Sequence, residues 1–358
     1  MRACGWPERK SHVSIGTPAS RPFLEVKDLT IRFETDDGIV QAVTESSFTL
    51  EKGKTLGIVG ESGSGKSVTS LGILGLHRTR SNAKVSGEIW LEDQELVTAT
   101  DEDVRKLRGG KMSMIFQDPL SAMHPYFTVG SQIVEAYRVH HPGVNKKVAR
   151  ERAIDMLARV GIPQPERRFN DYAHQFSGGM RQRAMIAMAL VNDPALLIAD
   201  EPTTALDVTV QAQILDLIRD LQEEFGSAVI MITHDLGVVA ELADDVLVMY
   251  GGKIIEKGPA VDLFQAPEHP YTWGLLGSMP RLDREVRDRL NPVKGSPPSL
   301  INLPSGCSFH PRCPFAERNG DRCFTEIPLL GGPRHPVACH LPEDDRPRIF
   351  QQEVRPNL

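Results

Sequence analysis

The octet Gly60-Glu61-Ser62-Gly63-Ser64-Gly65-Lys66-Ser67 is the most informative part of this 358-residue chain. It follows the apolar run Leu56-Gly57-Ile58-Val59, which predicts a buried parallel strand, and it precedes residues 67–76, whose composition favours a helix. A strand, a glycine-rich turn and a helix in this order gather several backbone N–H groups at a helix N-terminus. The octet also fits the pattern of a phosphate-binding loop, so we predict a nucleotide site here.

Within this loop the residue types have separate tasks. Glycines let successive N–H groups curl around the β-phosphate, the lysine reaches the β- and γ-phosphates, and the hydroxyl that follows it binds Mg²⁺. The residues that we expect to bind ATP in this segment are Gly60, Ser62, Gly63, Ser64, Gly65, Lys66, Ser67 and Val68. The alternative is a glycine-rich surface turn, against which the flanking strand and helix argue.

A pair of carboxylates follows a second apolar run. Residues 196–199 predict a buried strand that ends at Asp200 and Glu201, and α/β sheets bind ligands at the carboxyl ends of their strands. Asp200 is suited to hold Mg²⁺, and Glu201 is suited to orient or deprotonate an attacking water. The alternative is that both residues only cap the turn at Pro202. His234, which follows a predicted strand over residues 229–233, is in position to contact a γ-phosphate.

The order of the elements predicts the fold class and the domain organisation. Alternation of strands and helices indicates an α/β protein with a doubly wound parallel sheet, as in P-loop NTPases, preceded by a small antiparallel sheet over residues 23–50. An inserted helical subdomain is expected at about 118–176, with helices over 129–139 and 146–160. We expect a flexible leader at 1–22, a nucleotide-binding domain at 23–258 and a Pro- and Cys-rich extension at 259–358.

Composition excludes several other classes of protein. The apolar content is too high for a disordered chain, and five Cys are too few for a disulfide-rich secreted domain. Apolar runs are far shorter than the ~20 residues that cross a bilayer. With 41 basic and 47 acidic residues, the chain lacks the basic excess that is typical of nucleic-acid-binding proteins. Residues 1–22 contain no signal-peptide core, so a cytoplasmic location is expected.

The segment Ser177-Gly178-Gly179-Met180-Arg181-Gln182-Arg183 resembles the signature motif of the ATP-binding subunits of ABC transporters. A hydroxyl and bare N–H groups at a helix start form an anion site. The resemblance implies that Ser177, Gly178, Gly179 and Gln182 bind the γ-phosphate of the ATP held by a partner subunit. The protein is therefore expected to work as a dimer of ATPase subunits.

Other segments also match this family. Gln117 resembles the Q-loop glutamine, which contacts Mg²⁺ and the attacking water, and Ala205-Leu206-Asp207 resembles the D-loop. Phe33, 27 residues before Gly60, is similar in position to the aromatic residue that stacks on adenine; the less favoured alternative is a core aromatic. The resemblance covers roughly residues 23–258 and implies catalytic roles for Glu201, His234 and Gln117.

The residues of these motifs are similar to those of the oligopeptide, dipeptide and nickel importer branch of the family. His269-Pro270-Tyr271-Thr272 and Gly295-Ser296-Pro297-Pro298 resemble its C-terminal extension, whereas His124 and Ala173 depart from its usual Asn and Pro. The branch implies a second ATPase subunit, first a different chain and alternatively a second copy of this one. It also implies two membrane permeases, an extracytoplasmic substrate-binding protein and a location at the cytoplasmic face of the membrane. Peptides are the expected cargo, with nickel or oligosaccharides as alternatives. A soluble ABC ATPase acting on DNA or the ribosome is a further alternative. It would predict a basic extension, which the sequence does not contain.

Four cysteines near the C-terminus form a candidate metal site. Cys307, Cys313, Cys323 and Cys339 are separated by 5, 9 and 15 residues. In a cytoplasmic chain such thiols suggest Zn²⁺ or an iron–sulfur cluster, and free thiols are the third possibility. The resemblance to dipeptide-importer ATPases favours a [4Fe-4S] cluster with a structural role. The histidines that could substitute as ligands are His310, His335 and His340.

Overall fold

The computed structural model describes residues 21–78, 82–204, 206–278, 293–332 and 335–357. Most of the predicted leader, including Cys4, and Ala205 of the predicted D-loop lie outside these ranges. Among the described helices, none combines the length and the apolar character that a bilayer crossing requires.

The strands form two separate sheets. They are β1 (Leu24–Thr35), β2 (Gly38–Leu50), β3 (Thr55–Val59), β4 (Ala83–Leu91), β5 (Gln94–Glu95), β6 (Met112–Ile115), β7 (Leu196–Asp200), β8 (Ala228–Thr233), β9 (Asp245–Tyr250) and β10 (Lys253–Pro259). The order is β2-β1-β4-β5 in an antiparallel sheet and β10-β9-β3-β8-β7-β6 in the larger sheet. The larger sheet is parallel except where β10 pairs with β9, so the α/β expectation is confirmed.

Helices surround the larger sheet and form an insertion beside it. They are α1 (Lys66–Ile73), α2 (Asp101–Leu107), α3 (Pro119–Ala122), α4 (Val129–His140), α5 (Lys146–Arg159), α6 (Pro165–Arg168), α7 (Gly178–Leu190), α8 (Val208–Phe225), α9 (Leu236–Leu242), α10 (Ala260–Gln265), α11 (Pro270–Gly277), α12 (Arg322–Thr325) and α13 (Asp345–Ile349). Short turns of 3-10 or π helix occur at Ala173–Gln175, His310–Arg312, Ala316–Asn319, Phe350–Val354 and Arg355–Asn357.

The first strand is longer than the sequence pattern predicts. The apolar runs at residues 23–26 and 29–33 predict two short strands, and the structure joins them into β1. The register with β2 shifts after Val26, and Asp28 lies in the left-handed region with φ 48°. A β-bulge of this kind bends a strand without ending it. The bulge also interrupts the apolar pattern, which is why the sequence resembles two strands.

Side-chain caps explain where the main helices begin. The side chains of Thr128, Asn145, Ser177 and Asp207 each accept a hydrogen bond from a backbone N–H in the first turn of the helix that follows. Asp207 starts α8, which ends at Gly226 in the left-handed conformation. These caps satisfy N–H and C=O groups that a helix leaves free at its ends.

Burial of both sheet faces places the catalytic candidates at one edge. Every residue of β3, β7 and β8 is buried, as expected for parallel strands that are covered on both sides. The carboxyl ends of these three neighbouring strands lead into the phosphate loop, Glu201 and His234. The fold therefore gathers three distant segments of the sequence at one place.

The segment after β10 shares a core with the larger sheet. Tyr250, Tyr271 and Phe309 form an aromatic cluster, with ring centroids 4.7–5.4 Å apart. Val59 and Val248 of the sheet lie in the same apolar core. A second small core surrounds Trp273 and draws on residues as late as Phe350.

Candidate nucleotide site

The loop between β3 and α1 has a backbone that only glycine adopts readily. Gly60, Gly63 and Gly65 have φ values of 151°, 79° and 105°. A Cβ at Gly60 would lie 2.3 Å from the carbonyl oxygen of Met249, and one at Gly65 would lie 2.4 Å from that of Ala42. Neighbouring backbone therefore presses on the loop, and its glycines serve both conformation and close approach.

Lys66 and Ser64 are buried within this loop. The Nζ atom of Lys66 donates to the carbonyl oxygens of Gly60 and Glu61 at 2.7 and 3.0 Å, and burial lowers the pKa of this lysine. The hydroxyl oxygen of Ser64 is buried and has no hydrogen-bond partner. Because unpartnered buried polar atoms are costly, this orphan hydroxyl and the curled N–H groups fit a phosphate ligand.

Ser67 and Asp200 form the candidate Mg²⁺ site. The Ser67 hydroxyl donates to Oδ1 of Asp200 at 3.0 Å. Asp200 is 8% exposed, and burial is the main cause that raises the pKa of its carboxyl. A hydroxyl beside a carboxylate is a donor set that suits Mg²⁺, which prefers few protein oxygens together with phosphate.

Glu201 is the centre of a polar group at the end of β7. Its Oε2 accepts hydrogen bonds from Gln117 Nε2 and Thr204 Oγ1, both at 2.9 Å, and its Oε1 lies 3.4 Å from His234 Nδ1. Glu201 also has a φ of 46°, a strained value for a residue other than glycine. The structure thus brings together the three residues predicted to be catalytic. Thr204 was not predicted, and a single hydroxyl in a turn gives no sequence signal.

The predicted signature segment begins α7. Ser177 caps this helix and accepts a hydrogen bond from the N–H of Met180 at 3.3 Å. Gly178 lies beside Leu206, which precedes α8, and Gly179 lies beside Val210 in the first turn of α8. Gln182 is 2% exposed, and its Nε2 atom has no partner. The helix start therefore has the polar atoms that the predicted anion site requires, and its role in ATP binding stays a prediction.

Phe33 lies in β1 and is partly buried. Its ring meets the imidazole of His77 edge-on, with centroids 5.2 Å apart, and it packs with Val68 against the core below the loop. His77 in turn hydrogen-bonds to the carbonyl oxygen of Val68 at 3.0 Å. These contacts suit the core role of an aromatic residue, and stacking on adenine stays a prediction.

The four C-terminal cysteines form no disulfide, and their thiols influence one another electrostatically. Burial raises the pKa of Cys313 to about 12 and that of Cys339 to about 11, and it also raises the pKa of Cys307. Nearby backbone N–H groups offset part of this rise in pKa in each of the three, and Asn319 Nδ2 donates to the sulfur of Cys323 at 3.5 Å. No group of three His, Cys, Asp or Glu side chains in the described ranges is arranged to hold a metal ion.

Comparisons with known proteins agree with this geometry. Residues 43–204 match the ABC transporter family, and residues 255–319 match the C-terminal region of oligopeptide/dipeptide transporters. The oligopeptide transport ATP-binding protein OppD of Salmonella typhimurium is 51% identical over 92% of this chain and 97% of its own length. AppD of Bacillus subtilis, another oligopeptide transport ATP-binding protein, is 48% identical over 90% of this chain and 97% of its own.

A solved structure of a dimeric ATP-binding cassette bound to ADP and inorganic phosphate has a TM-score of 0.60 and 26% identity, and the match covers 66% of this chain and 98% of the cassette. The fold and the loop at the end of β3 thus define an ATP-binding cassette ATPase. Within that class, the chain belongs to the family of oligopeptide transport ATP-binding proteins.

Proposed function

We propose that this protein hydrolyses ATP to energise an ABC importer of oligopeptides. The observation that carries the proposal is the convergence of Lys66, the Ser67–Asp200 pair and Glu201 at the carboxyl edge of one sheet. The names of the OppD and AppD relatives supply the cargo class. Nickel and oligosaccharides remain as alternative cargoes, because cargo is selected by other chains.

The chemistry follows from the residues around Glu201. Lys66 and the N–H groups of the loop bind and orient the phosphates, and Ser67, Asp200 and Gln117 are the residues that would hold Mg²⁺. Mg²⁺, when bound, neutralises charge that develops on the phosphate oxygens. Glu201 accepts a proton from the attacking water, while Gln117 and Thr204 hold its carboxylate in place. His234 contacts the γ-phosphate from the end of β8.

The partners follow from the exposed surfaces. Ser177, Gly178 and Gly179 are exposed or half-buried at the start of α7, so they are accessible to the ATP of a second ATPase subunit, which we infer to be a different chain. The segment 118–176 is the inferred contact with two membrane permeases, and it exposes the large apolar residues Leu120, Tyr126, Phe127, Val139 and Val148. Through the permeases, the complex receives cargo from an extracytoplasmic binding protein, which puts this subunit at the cytoplasmic face of the membrane.

We also infer the division of the chain into a cassette at 23–258 and a C-terminal region at 259–358. The short helices and turns after β10 support a boundary there, since the regular alternation of strands and helices ends at this point.

Peptide uptake by the complex reconstituted with its permeases in vesicles tests the cargo. Accumulation of labelled oligopeptide that requires ATP supports the proposal, and uptake of nickel or an oligosaccharide alone would replace the cargo assignment.

The variant Glu201→Gln tests the catalytic assignment. We expect ATP hydrolysis to fall by about 10²-fold or more, with ATP binding retained, because the amide cannot accept the proton. Glu223→Gln, an exposed change on α8, is the matched control and should leave hydrolysis unchanged. Undiminished turnover in Glu201→Gln would remove Glu201 from this role.

We propose in addition that the four cysteines hold a [4Fe-4S] cluster with a structural role, with Zn²⁺ as the alternative. The observation in favour is that the four thiols lie close enough to one another to interact electrostatically. They do not form a ligand set as they stand, so cluster binding would have to draw the sulfurs together and deprotonate thiols whose pKa values burial raises. When bound, the cluster would cross-link a segment that has little apolar core of its own.

Metal content tests the cysteine proposal. Iron, acid-labile sulfide and zinc are measured in anaerobically purified protein, in Cys313→Ser and in the control Cys4→Ser. Iron and sulfide in near-equal amounts, lost only in Cys313→Ser, are the expected result. Zinc in place of iron would select the alternative, and neither metal in the wild-type protein would leave the residues as free thiols.

A further inference from the structure

Arg312 connects the cysteine-containing segment to the phosphate loop. This residue lies between Cys307 and Cys313 in the sequence, yet its guanidinium forms a forked ion pair with the carboxylate of Glu61, the second residue of the loop octet. The two N···O distances are 2.6 and 2.9 Å, across 251 residues of sequence. The Arg312 side chain is only 5% exposed. Charge-assisted pairs with this geometry are strong and directional.

The remaining N–H groups of Arg312 are also held in place. Three backbone carbonyl oxygens, those of Val293, Lys294 and Gly295, accept from the guanidinium at 2.8–3.2 Å. The hydroxyl of Tyr250 lies 3.3 Å away. Together these contacts fix the plane of the guanidinium, so its forked N–H groups face the carboxylate of Glu61.

A second contact holds the backbone of the same residue. The N–H of Glu61 donates to the hydroxyl of Tyr271 at 2.8 Å. Tyr271 is completely buried in the aromatic cluster with Tyr250 and Phe309. Both the backbone and the side chain of Glu61 are thus bound by residues that follow β10.

The charge of Glu61 creates a problem for a polyphosphate site. Its carboxylate lies in the loop that receives the phosphates, and its negative charge acts on Lys66, the cation of that loop. Without a counter-charge, this carboxylate would repel an incoming triphosphate and compete for the lysine. The forked ion pair with Arg312 neutralises that negative charge.

We propose that Arg312 is a positioning residue for ATP binding: by neutralising Glu61, it lets the phosphate loop accept a triphosphate. The C-terminal region is then part of the nucleotide site, although it supplies no group that touches ATP. This inference rests on the proposed ATPase function and adds a determinant of ATP affinity outside the cassette.

Equilibrium binding of Mg²⁺-ATP to the full chain tests the inference. Arg312→Ala should weaken binding about tenfold or more, because the carboxylate of Glu61, left without its counter-charge, repels the triphosphate. The loss should shrink as the salt concentration rises, because screening weakens the repulsion by Glu61. Arg318→Ala is the matched control: Arg318 makes a similar forked pair, but with Glu353 and not with a residue of the phosphate loop, so binding should be unchanged.

Removal of the carboxylate separates charge neutralisation from a purely structural role. Arg312→Ala combined with Glu61→Gln should recover affinity to within about threefold of wild type, since no charge is left to neutralise. Glu61→Gln alone, which tests the same point if Arg312→Ala does not fold, should bind ATP at least as tightly as wild type. Wild-type affinity in Arg312→Ala, failure of the double variant to recover, or a tenfold loss in Glu61→Gln alone would each overturn the inference.

A separate variant distinguishes failure of this inference from failure of the proposed function. Lys66→Ala should abolish ATP binding whatever the role of Arg312, because it removes the cation of the loop itself. If Lys66→Ala binds ATP like the wild type, the ATP site assignment is wrong. If Lys66→Ala loses binding while Arg312→Ala keeps it, only the role of Arg312 is withdrawn.

Discussion

At the scale of single residues, His269 shows how burial sets a protonation state. This histidine is 1% exposed, and its Nδ1 accepts a hydrogen bond from the N–H of Tyr271 at 3.0 Å. Burial lowers its pKa from 6.5 to about 4, despite the nearby carboxylate of Glu256. His269 is therefore neutral at pH 7 in the folded protein, where it caps the start of α11.

The depressed pKa of His269 predicts acid sensitivity. Between pH 6.5 and 4 the unfolded chain binds a proton that the folded chain does not, so stability falls as the pH falls through this window. The loss attributable to this residue is up to about 3 kcal/mol, the equivalent of the shift in pKa. In His269→Asn, which keeps a capping side chain, we expect this part of the pH dependence to disappear.

Denaturant unfolding of both proteins at a series of pH values checks this expectation. His174→Asn, a change at an exposed histidine, should retain the wild-type dependence. An identical slope in His269→Asn and the wild type would show that another group titrates in this window.

Sequence reasoning found residues that act within a local motif and missed those that act through tertiary packing. Lys66, Ser67 and Asp200 were predicted because loop and strand context fixes their chemistry, and the structure brings Ser67 and Asp200 into contact. Glu61 belongs to the same octet, but its partner Arg312 is 251 residues away, and no periodicity or motif records that pairing.

At the scale of elements, the loop between β3 and α1 depends on glycine for two different reasons. Gly65 has a φ of 105°, and a Cβ there would collide with the backbone of Ala42. Gly53, in the turn between β2 and β3, offers a comparison: it has a φ of 72°, but a Cβ there would meet open space. The two positions thus separate the cost of a strained backbone from the cost of a collision.

We expect Gly65→Ala to lower the free energy of unfolding by at least about 2 kcal/mol and to weaken ATP binding more than tenfold. Backbone at Ala42 cannot move aside as a flexible side chain would, so the loop must distort. Gly53→Ala should cost only about 1 kcal/mol and leave ATP binding intact. Denaturant unfolding and ATP titration of both variants measure these effects, and equal binding by the two would contradict the collision argument.

The sequence was most informative for elements with regular patterns. Residues 208–225 have a pattern that predicts a helix and they form α8, and the strands predicted around residues 196 and 229 match β7 and β8. The strands β4, β5 and β10 were not predicted. Most residues of β4 are half-buried or exposed, so its apolar alternation is weak, and β10 is recognisable only through its pairing with β9.

At the scale of the whole molecule, the start of α7 predicts ATP-dependent dimerisation. Ser177 caps this helix from an exposed position, so its polar atoms can reach a phosphate held by another subunit. In Glu201→Gln, ATP should accumulate and hold two subunits together, because hydrolysis no longer separates them. Whether the two subunits are copies of this chain or two different chains, the interface requires the same helix start.

The substitution Ser177→Asp tests this arrangement without destroying the helix cap. Aspartate caps helices as well as serine does, but its charge repels a phosphate. Added to Glu201→Gln, it should abolish the ATP-induced dimer in light scattering, with the partner ATPase subunit present if the chain does not pair with itself. Thr128→Asp, the same change at the cap of α4, should leave the dimer intact. Dimerisation unaffected by Ser177→Asp would exclude the start of α7 from the interface.

The aromatic cluster of Tyr250, Tyr271 and Phe309 limits how such proteins can be recombined. A crossover at residue 258, the natural place to exchange C-terminal regions between relatives, separates Tyr250 and Glu61 from Tyr271 and Arg312. A hybrid made there keeps its complete nucleotide loop only if both parents have matching residues at these four positions. An exchange of this region between relatives therefore has to transfer Glu61 and Tyr250 together with the graft.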